Sequence, residues 1–292
     1  MINMEESPTI FVPAHITCFF DPHYDKNIFR SGSRGAGFSI DKGARVKVSI
    51  ARARSFNVEV FINGKKEEAL TTETAVRNLI GKEPLNVRVD IEQDLPTSQG
   101  FGMSGAGALG ASLAISKIFG IDKITAIKNA HAAEVICKTG LGDVIAQLFG
   151  GIEIRKSPGL PPFGMIEHIP GSFEVVICVV GEKLKTKKIL ENESVMKKIS
   201  MRGKYCLDSL LESPSVENLF SLSYDFMKYT GLADERIKKI VDMANNFGRA
   251  SMCMIGNSIF AVGDNERLAQ ILSNFGKVYR AKVDTEGARV MD

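Results

Sequence analysis

Pro96-Thr97-Ser98-Gln99-Gly100-Phe101-Gly102-Met103-Ser104-Gly105-Ala106-Gly107-Ala108 is the stretch on which the reading of this chain turns. A loop this rich in glycine lets backbone N–H groups approach a ligand closely. The small-residue run that follows, 104–119, reads as a helix stopped by Gly120. Its first turn would aim free N–H groups and the positive end of the helix dipole at the loop, which makes an anion site suited to phosphates. Gly100, Gly102 and Gly105 also satisfy G-x-G-x-x-G. The dinucleotide fingerprint, however, needs that turn directly after a strand and an acidic residue ending the next strand. Here a loop led by Pro96 intervenes, and Asp122 lies between two helices. A Walker loop is excluded because no Gly-Lys-Ser/Thr follows. The remaining alternative is packing alone, in which the small residues merely let two helices approach closely.

Upstream, strand-like runs occur at 10–12, 37–40, 45–50 and 58–62, the last followed by the hairpin signal Asn63-Gly64. Residues 85–91 alternate apolar and charged, as a half-exposed strand does. Downstream, 123–138 and 142–149 read as helices, and Gly150-Gly151 breaks the chain before a strand at 152–154. Ser157-Pro158-Gly159-Leu160-Pro161-Pro162 is the best boundary, dividing the chain into domains 1–156 and 163–292. The second part reads as a strand at 173–180 and a helix at 186–199 with Thr186 as N-cap. Helices at 216–229 and 234–247, strands at 250–255 and 258–262, a helix at 265–275 and a strand at 278–283 follow. Strands and helices in both parts make an α+β protein of two domains.

With 44% hydrophobic and 24% charged residues over 292, the composition is that of a soluble globular protein. A formal charge of +3 is too small and too spread for a nucleic-acid binder, and the basic cluster at 183–188 is brief and interrupted. The five cysteines form no CxxC pair and are odd in number, against both a disulfide framework and a structural zinc site. Reduced thiols point to the cytoplasm. No signal peptide is recognisable, and no apolar run approaches the roughly 18 residues of a membrane span.

The central stretch resembles the motif Pro-x-x-x-Gly-Leu-Gly-Ser-Ser-Ala of the GHMP kinases, with Pro96, Gly100, Gly102 and Ser104 in register. Phe101 and Met103 depart from it, which leaves Ser104 alone to supply the hydroxyl near metal and phosphates. A second block agrees: His131-Ala132-Ala133-Glu134, then Thr139-Gly140-Leu141-Gly142-Asp143 and Gly150-Gly151. The resemblance implies that Glu134 helps hold magnesium and that Asp143 faces the acceptor hydroxyl. His131 and Glu134, at i and i+3, point the same way on a helix. Taken singly, Glu134 could be a surface partner of Lys138 and Asp143 a helix-start carboxylate.

A third block resembles the archaeal pantoate kinase branch of that family. It comprises residues 11–17, Ser31-Gly32-Ser33-Arg34-Gly35-Ala36-Gly37, Gly181 through Thr186-Lys187-Lys188, Ser251-Met252 and residues 255–261. The resemblance implies a two-domain GHMP kinase fold, with an N-terminal domain like ribosomal protein S5 domain 2 and a ferredoxin-like C-terminal domain. It implies ATP and Mg2+ as cofactors, with phosphates at Pro96, Gly100, Gly102, Ser104, Gly105 and Ala106. Metal would lie at Ser104 and Glu134, Asp143 would be catalytic, and Ser33, Arg34, His131, Arg155 and Thr186 would lie near the acceptor, pantoate. Arg34 could bind a carboxylate bidentately or merely close a surface turn. His15, Lys26, Arg30 and Arg34 all remain candidates for a basic residue at the transferred phosphate. The alternatives are another kinase of the family, acting on homoserine, shikimate or mevalonate, and a catalytically silent nucleotide sensor. No nucleic-acid or membrane partner is expected, and a homodimer is compatible with the sequence.

Overall fold

The computed structural model describes residues 5–182 and 192–291. Thr186, the whole of the basic cluster at 183–188 and the start of the helix expected at 186–199 lie outside the described residues.

The chain opens with β1 (Glu5–Glu6), β2 (Ile10–His23) and β3 (Gly32–Arg52). The strands expected at 37–40 and 45–50 are one continuous strand. A Cβ at Gly43 would collide with the Val12 carbonyl, so glycine lets β3 run on beside β2, which shifts register between Pro13 and Ala14. β4 (Asn57–Ile62) and β5 (Lys65–Lys66) form the hairpin expected at Asn63-Gly64, where φ is 49° and 78°. Helix α1 (Leu70–Ile80) then crosses to β6 (Leu85–Gln93), which runs parallel to β4. The sequence gives little sign of α1. Thr71, Thr72 and Thr74 are weak helix formers, and burial of Ala75, Val76 and Ile80 stabilises it instead.

Helices α2 (Met103–Phe119), α3 (Lys123–Cys137) and α4 (Asp143–Phe149) follow, then β7 (Ile152–Ser157) and β8 (Met165–Ile169). β8 lies beyond the Pro/Gly break yet pairs with β7 in the same sheet. The remainder is β9 (Glu174–Val179), α5 (Glu193–Glu212), α6 (Val216–Thr230), α7 (Glu235–Ala244), β10 (Gly248–Met252), β11 (Ser258–Gly263), α8 (Asn265–Leu272), β12 (Lys277–Lys282) and β13 (Arg289–Val290).

The larger sheet runs β13-β2-β3-β6-β4-β5, and β3 also pairs with β1 and β7. The smaller is antiparallel, β10-β11-β9-β12. Phe38 of β3 joins the two, its ring 5.3 Å from Phe260 on β11 and 5.0 Å from Phe173. Among the described residues no helix is long and apolar enough to cross a membrane.

Helix α2 sits between β2 and β3 on one side and α1, α3 and α4 on the other. From Met103 to Ser116 every residue except Ser104 is buried. Its glycines are where neighbours come closest: a Cβ at Gly107 would lie 2.7 Å from Thr72 Oγ1, and one at Gly110 2.5 Å from Val46 Cγ2. The packing role of these small residues is therefore real, and it applies to the body of the helix. Its N-terminus is different.

Candidate active site

Helices α3, α5, α6, α7 and α8 are each capped by a side chain, from Asp122, Asn192, Ser215, Asp234 and Asp264. Helix α2 is not. Its N-cap is Gly102, left-handed at φ 64°, with no side-chain bond to the first turn. Ser98, Gly100 and Gly102 have φ of 61°, 83° and 64°, while the residues between them do not take positive φ. Such alternation suits a loop that turns successive N–H groups to one side. The loop is braced from outside. His15 N donates to Phe101 O at 3.0 Å, and Gln147 Nε2 donates to Gly102 O at 2.9 Å. Gln99, itself buried, donates to Gly181 O at 3.0 Å and accepts from Asn257 N at 3.2 Å. Phe101 and Met103, the two departures from the family motif, are core residues, and Ser104 is left half-exposed at the helix start.

Glu134 on α3 and Asp143 at the first position of α4 both face this helix start. A Cβ at Gly105 would lie 3.0 Å from Glu134 Oε1 and 3.3 Å from Asp143 Cβ. One at Gly140 would collide with Glu134 Oε1 and sit 2.9 Å from Asp143 Oδ2. The turn between α3 and α4 is therefore glycine because two carboxylates crowd it. Glu134 is 1% exposed, and neither of its oxygens has a hydrogen-bond partner among the described residues. It is not the surface partner of Lys138 that its spacing allows.

Burial first, and then the charge of Asp143, raise the Glu134 pKa well above its ordinary 4.5. The folded chain thus holds a proton that the unfolded chain releases, and stability from this group falls as pH rises above about 4.5. Glu134→Gln is accordingly expected to stabilise the ligand-free protein at neutral pH. A gain of ~1 kcal/mol would raise the melting temperature by about 2–4 °C in a domain of this size. Thermal melts of both proteins at pH 5 and 8 check it, with the larger difference at pH 8. A variant melting lower than the parent at pH 8 would contradict this account.

The acceptor-side candidates divide. Ser33 on β3 and Arg155 on β7 converge at Gly142, where a Cβ would meet Ser33 Oγ at 2.6 Å and Arg155 Nε at 3.0 Å. Arg155 is 2% exposed and pairs through Nη1 with Glu153, while its Nε has no partner among the described residues. Arg34 is turned elsewhere, donating from Nε to Asp21 Oδ2 at 3.1 Å. His131 Nε2 lies 3.0 Å from Ser31 O and 3.2 Å from Ile28 O, so the ring holds the 27–31 turn. Burial lowers its pKa. A neutral ring with Nε2 protonated leaves Nδ1 only an acceptor's lone pair. Of the basic candidates, His15 alone touches Asp143, with Nδ1 2.8 Å from Oδ1. Glu153, Gln99 and Gln147 are the polar residues here that sequence reasoning did not single out. Apart from Arg155, two positions from Glu153, their partners lie between 45 and 159 positions away, beyond any local spacing rule.

Comparison with known proteins gives consistent results. The profile of the GHMP kinases N terminal domain matches residues 69–151, which include the glycine loop, Glu134 and Asp143. The chain is 36% identical to the pantoate kinase of Thermococcus kodakarensis, over 96% of this chain and 97% of that one. It is also 36% identical to the pantoate kinase of Methanocaldococcus jannaschii, over 90% and 96% respectively. Among solved structures it is similar to a phosphotransferase related to the CoA biosynthesis pathway. That likeness has a TM-score of 0.87 and 33% identity, covering 99% of this chain and 98% of the other. Identity at this level along almost the whole length, on a fold with an uncapped glycine-rich helix start, assigns the chain to the pantoate kinase family of the GHMP kinases.

Proposed function

We propose that this protein is an ATP-dependent kinase that phosphorylates the primary hydroxyl of pantoate, giving ADP and 4-phosphopantoate on a route to coenzyme A. The observation that carries the reading is the meeting of three features: the uncapped start of α2, an unpartnered buried Glu134, and Asp143 beside both. Phosphoryl transfer asks a protein mainly for positioning and for neutralisation of charge. The loop N–H groups and the α2 dipole would hold the ATP phosphates, with Pro96, Gly100, Gly102, Ser104, Gly105 and Ala106 forming the cradle.

The donor set fits magnesium. Among the described residues no three acidic, His or Cys side chains gather into a closed metal cage. Magnesium bound with nucleotide needs only one or two protein oxygens, the phosphates supplying others. Glu134, buried without a partner, and the hydroxyl of half-exposed Ser104 would be those oxygens. When bound, the ion would neutralise charge on the phosphates. Asp143 would orient the acceptor hydroxyl and take its proton. Arg155, with Ser33 beside it, would face the acceptor carboxylate, which a guanidinium can grip with two parallel hydrogen bonds. Thr186 keeps the role that the resemblance implies. All five cysteines are free thiols, which suits a reducing compartment such as the cytoplasm.

The test is direct. Purified protein with ATP, magnesium and, separately, pantoate, homoserine, shikimate or mevalonate should release ADP at a substantial rate with pantoate alone. Clear preference for one of the other three would keep the kinase and overturn the acceptor.

A further inference from the structure

Four ionisable side chains stand in one row from the start of α4 to β7. Asp143 Oδ1 lies 2.8 Å from His15 Nδ1, and His15 Nε2 lies 2.9 Å from Glu153 Oε1. Glu153 in turn accepts from Arg155 Nη1. His15 and Glu153 are almost fully buried, whereas the Asp143 side chain keeps 21% of its surface open toward the site. The backbone is shaped around the row. β2 shifts register immediately before Ala14, and a Cβ at Gly37 would lie 2.7 Å from His15 Nε2 and 3.1 Å from Glu153 Oε1. The final glycine of the Ser31–Gly37 run is thus the space in which His15 meets Glu153.

An ionised carboxylate only accepts hydrogen bonds, and a neutral imidazole carries one N–H. A ring with a carboxylate at each nitrogen is satisfied at both only when it carries two protons. One imidazolium and one guanidinium then balance the two carboxylates, which is how buried charges persist.

We propose that His15 is a positioning residue for phosphoryl transfer: its doubly protonated ring fixes the Asp143 carboxylate and ties it through Glu153 to Arg155, so one row of charges sets both ends of the acceptor site. The proposal rests on the role given above to Asp143. The groups that face His15 are Asp143 from α4 and Glu153 and Arg155 from β7, and the Glu134 carboxyl on α3 is near enough for the charge of His15 to act on it. Burial opposes the charge on His15, but Glu153 and Asp143 outweigh it and raise the pKa from 6.5 to about 9. The stabilisation from this ring is therefore complete below about 6.5 and lost as pH rises through about 9.

The experiment has two arms on the full-length protein. In the first, the His15 ring carbons are followed by NMR from pH 5 to 10 without ligand. The expected midpoint is near 9, shifted down toward 6.5 in Glu153→Gln. A midpoint near 6.5 in the unsubstituted protein overturns the proposal, whatever happens to the variants. In the second, His15→Gln is expected to lower kcat about 10- to 100-fold while the KM for ATP changes less than about threefold. The parent is expected to lose kcat above about pH 9, and this alkaline limb should disappear in the variant. Unchanged kcat, or an equal loss across the whole pH range with the alkaline limb retained, also overturns it. Should pantoate itself prove not to be the acceptor, the NMR arm still decides the state of His15 independently.

Discussion

Asp143→Asn is expected to lower turnover by about 100-fold or more while nucleotide binding stays within a few-fold of the parent. Asparagine keeps the size and can still accept one hydrogen bond, but it has neither the charge nor the basicity to take a hydroxyl proton. The competing description of Asp143 is a carboxylate at the start of α4, where the helix dipole favours it by only about 0.3–1 kcal/mol. That description predicts a small loss of stability and near-normal rates. Single-turnover measurements with saturating ATP and acceptor, alongside calorimetric titration of a non-hydrolysable nucleotide, separate the two. Retention of even a third of the parent rate would reduce Asp143 to a helix-terminal carboxylate. The same substitution removes a carboxylate from His15, so the His15 pKa should fall in this variant.

Replacing Arg155 should act on the other end of the acceptor and nowhere near the nucleotide. Losing a charge-assisted hydrogen bond is worth roughly 1.5–3 kcal/mol, which raises the KM for pantoate by about 10- to 100-fold and leaves that for ATP nearly unchanged. The structure adds a complication that the sequence did not show. Arg155 is buried against Glu153, and removing one member of such a pair costs about 3–5 kcal/mol because a buried charge is stranded. Arg155→Ala could therefore lose activity simply by unfolding. The double variant Glu153→Gln/Arg155→Met removes both charges and should recover much of the lost melting temperature without recovering affinity for pantoate. If the double variant also regains the parent KM, Arg155 is a structural partner of Glu153 and the acceptor carboxylate is held elsewhere.

The glycine loop and the start of α2 were legible in the sequence because their signals are local. Glycines at alternate positions, an Ala-rich run behind them and Gly120 as a stop mark a loop, a helix start and a helix end without reference to the rest of the chain. Glu134 and Asp143 stood out only through the resemblance to the family's pattern of a Glu before a Gly-rich turn and an Asp before a Gly-Gly pair, since singly each reads as a surface or helix-start carboxylate. What the sequence could not give is the row through β2 and β7, because His15 and Glu153 are 138 positions apart and meet only across β3. β8 was hidden for a related reason. The Pro/Gly segment before it reads as a break in the chain, yet the strand beyond returns to pair with β7, and pairing partners are not written in local composition. Arg34 shows the converse. Its glycine-lined run invites an anion, but the strand register sets it opposite Asp21, which takes the guanidinium.

The burial of α2 on every side has a consequence for affinity. A flexible glycine loop that closes on phosphates must give up conformational freedom when it does so, on the order of 1–2 kcal/mol for each residue newly fixed. Here the N–H donors at the start of α2 belong to a helix wedged among two strands and three helices, and the loop before it is tied down through Gln99, Gln147 and His15. That ordering is completed when the chain folds, and the hydrophobic core sustains it. In the role proposed for this loop, nucleotide would meet a donor array already held in place, so its interaction energy would not be spent on assembling the site.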